Sequence, residues 1–85
     1  GAHIERELML IKVKAVGAQR VEVNRTVDIF RGQIVDLTGG VFSIQLTGTS
    51  GKLDAFIAAL GDSIVMEVAR TGVSGISRGE KVLSL

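Results

Sequence analysis

The spacing of apolar residues in this chain switches between the period of a strand and the period of a helix, and each switch falls at or near a glycine. From Glu7 to Val16, Met9, Ile11, Val13 and Ala15 share one parity while Lys12 and Lys14 take the other, as in a half-buried strand. Leu8 and Leu10 break that pattern by placing apolar side chains on the face that should meet water. After Gly17, Val23, Val27 and Phe30 fall at i, i+4 and i+7, which predicts a helix from Ala18 to Phe30 with Arg20, Glu22, Arg25 and Asp28 largely turned away. Its many β-branched residues make that helix dependent on docking, and Gly32 is the expected left-handed residue that ends it. Gln33 to Thr38 and Val41 to Thr47 read as strands joined by Gly39-Gly40, a pair suited to a tight primed turn. Thr49 or Ser50 can cap a second helix, whose Leu53, Phe56, Ile57 and Leu60 form one stripe and which Gly61 stops. Ile64, Met66 and Val68 then alternate with Val65, Glu67 and Ala69 as a fourth strand.

Strand, helix, strand, strand, helix, strand is the order of the split βαβ plan. The expected fold is therefore α+β: a ferredoxin-like βαββαβ sandwich, an antiparallel four-stranded sheet with two helices on one face. A single domain fills residues 1–85, with a core over 4–70 and a Gly/Ser-rich tail over 71–85, in which Lys81 to Leu85 could add a short edge strand. The face without helices must be solvated or covered. Leu8, Leu10 and Val65, joined by Ile34 or Val41, are too apolar for free water, so an interface is expected there, with a second copy first and a partner subunit second.

Composition narrows the chemistry. Apolar residues are 46% of the chain but only three are aromatic, so Val, Ile, Leu and Ala must fill the core. A net charge of +1 with no Tyr or Trp disfavours nucleic acid. No apolar run reaches the roughly 20 residues that span a bilayer. The lack of cysteine suits a reducing compartment, and with no secretory segment at the start the expected location is the cytoplasm. His3 is the sole histidine, and without clustered ligands it reads as a surface residue rather than a metal ligand. Gly48-Thr49-Ser50-Gly51-Lys52 has the setting of a phosphate loop but not its spacing, so a capped turn is the simpler account. Gly72, Gly75 and Gly79, interleaved with Ser74, Ser77, Arg70 and Arg78, suggest a partner-docking tail, with Arg70, Arg78 and Lys81 as charged contacts. Neither a nucleophile with a base nor a paired set of carboxylates is evident, since Glu5 and Glu7 flank Arg6 near a terminus and Asp28 and Asp36 lie on different elements.

Three stretches carry a family likeness: Ala2 to Leu10, Ile29-Phe30-Arg31-Gly32-Gln33-Ile34-Val35-Asp36 with Leu46 to Phe56, and Val68 to Gly79. Over His3 to Lys81 the chain resembles the carboxy-terminal half of the small, regulatory subunit of acetolactate (acetohydroxyacid) synthase. The resemblance implies a non-catalytic domain that supports dimerisation and couples to the large catalytic subunit in valine, leucine and isoleucine biosynthesis. It implies no cofactor in this chain, with thiamine diphosphate, magnesium and FAD on the catalytic partner. Subunits of this family begin with an amino-terminal ACT domain that holds the feedback amino acid. No such segment is present here, so effector-binding residues cannot be placed on any position. A free-standing ferredoxin-like module that senses an amino acid or other small anion stays open as the alternative.

Overall fold

The computed structural model describes residues 5–61 and 63–72 of the chain. Six elements follow one another within them: β1 (Glu7–Lys14), α1 (Ala18–Ile29), β2 (Gln33–Thr38), β3 (Val41–Gly48), α2 (Ser50–Ala59) and β4 (Ile64–Arg70). They build one antiparallel sheet in the order β2-β3-β1-β4, the expected ferredoxin-like arrangement. The edge strand considered over 81–85 and His3 lie outside the described residues.

The core follows from the parity of two central strands. Met9, Ile11 and Val13 stand opposite Leu46, Ile44 and Phe42, and all six are buried. Val23 and Val27 from α1 and Leu53, Phe56 and Leu60 from α2 or its end close over them in one cluster, with Phe30, Ile34 and Ile57 packed at its margin. Phe30 and Phe56 meet edge to face, with centroids 5.4 Å apart and planes at 79°, a geometry aromatic quadrupoles favour. Each fully buried Leu, Ile or Phe side chain contributes about 1.5–3 kcal/mol of transfer free energy. Docking on this surface holds a helix as poor in intrinsic propensity as α1. Thr26 also lies inward, and its hydroxyl is satisfied by donating to the Glu22 carbonyl at 2.8 Å.

Both Gly39 and Gly40 have positive φ, 59° and 79°, as the primed turn between β2 and β3 requires. The Ala15 amide donates to the Gly40 carbonyl at 3.0 Å, which fastens the hairpin tip to the end of β1.

Two bulges correct the face assignments made from alternation. In β4 the register steps from Glu67 opposite Lys12 to Val65 opposite Val13, leaving Met66 as the extra residue. Val65 is thereby carried to the helix-bearing side instead of joining Leu8 and Leu10. In β2 the extra residue is Val35, and Ile34 stands opposite the buried Ile44 and packs on the core. Ile34 therefore belongs to the inner face, while Val41, opposite Lys14 and Thr38, belongs to the outer one.

The end of α1 also differs from expectation. The left-handed residue is Arg31, with φ 59°, and Gly32 is the residue after it. The Gly32 amide donates to the Val27 carbonyl at 2.8 Å and the Arg31 amide to that of Asp28 at 3.1 Å, the two bonds of a Schellman ending. Gly32 is needed for space instead. A Cβ there would lie 3.3 Å from the Gln45 carbonyl oxygen and 3.3 Å from Leu46 Cδ1. Arg31→Gly is therefore expected to raise unfolding free energy by about 1 kcal/mol, because a left-handed L-residue costs that much or more. Gly32→Ala should lower it by about 1–2 kcal/mol through overpacking against strand backbone. Chemical denaturation of both variants reads the two signs, and equal effects would contradict the assignment.

Candidate functional site

Glu7 begins β1 at the same parity as Met9 and Ile11, so its carboxylate enters the protein on the helix-bearing side, where only 6% of the residue stays exposed. A buried carboxylate must be paired or protonated. The register supplies the partner, because Arg70 stands opposite Met9 on β4 and can reach Glu7 diagonally on the same face. Arg70 Nη2 donates to Glu7 Oε2 at 2.9 Å and Nε to Oε1 at 3.3 Å, a two-pronged contact. Its Nη1 turns to Asp54 Oδ1 on α2 at 2.7 Å. The Ser50 hydroxyl, in the first turn of α2, donates to Glu7 Oε2 as well.

These four residues tie β1, α2 and β4 together at one end of the sheet. Beside them the Leu8 amide donates to Thr71 Oγ1 at 3.1 Å and the Thr71 amide to the Leu8 carbonyl at 3.0 Å, so pairing of β1 with the chain after Arg70 continues past the strand. The hydrogen bonds from the Arg70 guanidinium and then the Ser50 hydroxyl hold the Glu7 carboxyl below its ordinary value against the opposing effect of burial. The Glu7 carboxylate in turn raises the pKa of Arg70. A carboxylate so stabilised in its charged form is a weak base, so the Ser50–Glu7 pair is poorly suited to activating a hydroxyl. Among the described residues no group of three or more His, Cys, Asp or Glu is placed to hold a metal ion.

The glycine-bearing turn before α2 behaves as a cap. Thr49 Oγ1 accepts from the Lys52 amide at 3.2 Å, and the Lys52 ammonium folds back to the Thr47 carbonyl at 3.0 Å. Ser50 is committed to Glu7, so the anion already seated at this helix start is a carboxylate of the chain itself.

Of the residues expected at a partner surface, Leu8 and Leu10 lie on the open face of the sheet, half-buried between neighbouring strands. Leu8 is flanked by Thr47 on β3, and Leu10 by Gln45 and Ala69. Farther along, Lys12 sits between Ser43 and Glu67, so the apolar part of this face is confined to one end. Val65 stands elsewhere, at the β4 edge opposite Val13 and 37% exposed. Arg70 is held inward by Glu7 and Asp54, with 26% of its side chain exposed. Arg78 and Lys81 lie outside the described residues. A shallow cleft of about 270 Å³ opens at the opposite end of the helices, lined by Ala18, Gln19, Glu22, Ala59, Leu60, Gly61 and Ser63. Its one charged side chain is acidic, which does not suit an anionic ligand.

Sequence reasoning passed over Glu7, Ser50 and Asp54 as a group. Parity was the available signal, because an acid in step with Met9, Ile11 and Val13 points into the core and requires a cation.

A family model described as the small subunit of acetolactate synthase matches residues 6–79. The chain is 56% identical over 84 residues to the acetolactate synthase isozyme 3 small subunit of Escherichia coli strain K12, covering 98% of this chain and 52% of that protein. It is 38% identical over 76 residues to the acetolactate synthase small subunit of Bacillus subtilis strain 168, covering 89% of this chain and 44% of the relative. A crystal structure of the acetolactate synthase small subunit from Thermotoga maritima superposes with a TM-score of 0.74 at 42% identity, over 81% of this chain and 42% of that one. The chain thus spans about half the length of the curated relatives it matches.

Glu7→Gln is expected to cost about 2–3 kcal/mol, since it leaves Arg70 without its buried partner. Asp54→Ala should cost under about 1 kcal/mol, because that carboxylate is 68% exposed. The Glu7 contribution has a defined pH sign. With the folded pKa lowered from 4.5, the unfolded state takes up the proton first, so the contribution is complete above that value and fades as pH falls through the folded pKa. Melting curves from pH 7 to pH 3 should show wild type and Glu7→Gln converging below about 4.5. A constant gap would show that the charge is not what stabilises.

Proposed function

The chain belongs to the family of acetolactate synthase small subunits, and from that premise we propose that it is the non-catalytic, carboxy-terminal regulatory domain of such a subunit. The carrying observation is likeness to a small subunit across 98% of the chain. In this reading the domain dimerises in the cytoplasm and helps couple a feedback-sensing domain to the large catalytic subunit in the synthesis of valine, leucine and isoleucine. Thiamine diphosphate, magnesium and FAD belong to that catalytic partner.

The geometry supports a coupling piece more than a catalyst. Its most elaborate polar constellation is spent on holding three elements together, with Glu7 kept ionised by Arg70. Such a domain transmits an effector's influence only if it packs differently against its partner in two states. A stiff body with an apolar-ended open face at Leu8 and Leu10 can do so by changing where that face sits. Arg70 can join a partner contact only through the part of its side chain left free by Glu7 and Asp54.

The test uses the complete small subunit with its large subunit. Wild-type small subunit should raise acetolactate formation and impose inhibition by a branched-chain amino acid. The double variant Leu8→Gln with Leu10→Gln should weaken activation by at least about fivefold, the lower end of ordinary coupling energies. Its melting temperature provides the control for folding. Full activation by a folded double variant would remove the open face from the coupling, and no activation by wild type would remove the regulatory reading itself.

A further inference from the structure

The two edges of the sheet are unlike. β2 exposes Gln33, Asp36 and Thr38 along its length, and Thr38 Oγ1 donates to Asp36 Oδ2 at 3.1 Å, a polar and self-satisfied rim. β4, the other edge, exposes Ile64 at 62%, Val65 at 37%, Met66 at 55% and Val68 at 42%. It has neither the proline nor the lysine that natural edges use against unwanted pairing. No other described strand pairs with its outer side.

The apolar side chains of β4 lie on both faces. Val65 and Val68 stand opposite Val13 and Ile11 on the helix-bearing side, yet the described helices leave them open. Ile64 and Ala69 stand opposite Lys14 and Leu10 on the other side. A partner laid against either face would cover one set and leave the other wet. A strand added at the edge, bringing its own sheet, covers both and also satisfies the free backbone groups.

We propose that the occupant is a second copy of this chain, with two β4 strands running antiparallel across a two-fold axis and joining two four-stranded sheets into one. A two-fold contact requires a self-complementary patch, and the bulge supplies it. Because Met66 is the extra residue, Val65 and Val68 share a face although three positions apart. One register then sets Val65 against Val68 of the second copy, Ile64 against its Ala69, and Met66 against its Glu67. Every such pair joins like faces or places the bulge residue against a neighbour. A slip by one residue puts Glu67 against Glu67 and mixes the faces, which like-charge repulsion and exposed valine both oppose. The proposal rests on the dimer reading above and names its seam as β4 instead of the Leu8–Leu10 face.

The chain lacks cysteine, so thiols can be introduced cleanly. Mild oxidation of the double variant Val65→Cys with Val68→Cys should yield a covalent dimer, since opposed strand residues lie within disulfide reach. Val65→Cys alone and Val68→Cys alone should not, because neither position faces itself. In light scattering the wild-type chain should run at about twice its 9.0 kDa, and Val68→Lys should weaken the dimer at least about tenfold while its helical and strand signature is kept. Equal cross-linking by the single variants, no cross-linking by the double, or a dimer indifferent to Val68→Lys would overturn the β4 seam and leave a dimer through the open face standing. A monomeric wild type would overturn both, and protected outward amides on β4 in that monomer would assign the edge to the chain's own remaining residues.

Discussion

Everything else in this domain is arranged around one strand. β1 is hydrogen-bonded on both sides, to β3 and to β4, and its Glu7, Met9, Ile11, Val13 and Ala15 all face under the helices. A slip of one residue would turn that whole set to the open face and bring Leu8, Leu10 and two lysines inward. Register is therefore imposed from the centre. The helices need only supply stripes that fit over Met9, Ile11 and Val13, which explains how α1, rich in β-branched residues, is held.

The same strand divides the domain into two chemically different ends. Where β1 begins, Glu7 carries a charge into the interior, and Arg70, Ser50 and Asp54 gather to satisfy it. Where it ends, contacts are made by backbone and glycine, with Ala15 bonded to the hairpin tip at Gly40. A polar end is directional in a way that an apolar end is not, because its hydrogen bonds fix α2 and β4 relative to β1. For a regulatory domain this rigidity is useful: a displacement imposed at one surface passes to another without being absorbed between them. The apolar surface that remains lies at Leu8 and Leu10 on the open face and along β4, the two places where neighbours can be held.

Much of this was legible in the sequence. The six elements, the Gly39-Gly40 hairpin, both helix stripes and the family likeness followed from spacing and motif. Four features were not. The bulges at Val35 and Met66 insert one residue into runs where both choices of face are apolar, so alternation cannot detect them; Val65 and Ile34 changed face for that reason. The left-handed residue after α1 was expected at Gly32 but falls on Arg31, because the space beside Gln45 and Leu46 demands the glycine one position later. Glu7 was taken for a frayed terminal charge. Its parity with Met9 shows its burial only once β1 is known to start there, and the partner that makes burial tolerable lies 63 positions away in sequence.

Native-state hydrogen exchange measures the dependence on β1 most directly. If the central strand sets register for the whole domain, the amides of Met9 to Val13 should exchange only through global unfolding, with the same free energy that denaturation gives. Those of Gln33 to Thr38 on the edge should open more easily. Exchange of Ile11 and Val13 at the rates of the β2 edge, while the helices stay protected, would contradict the account.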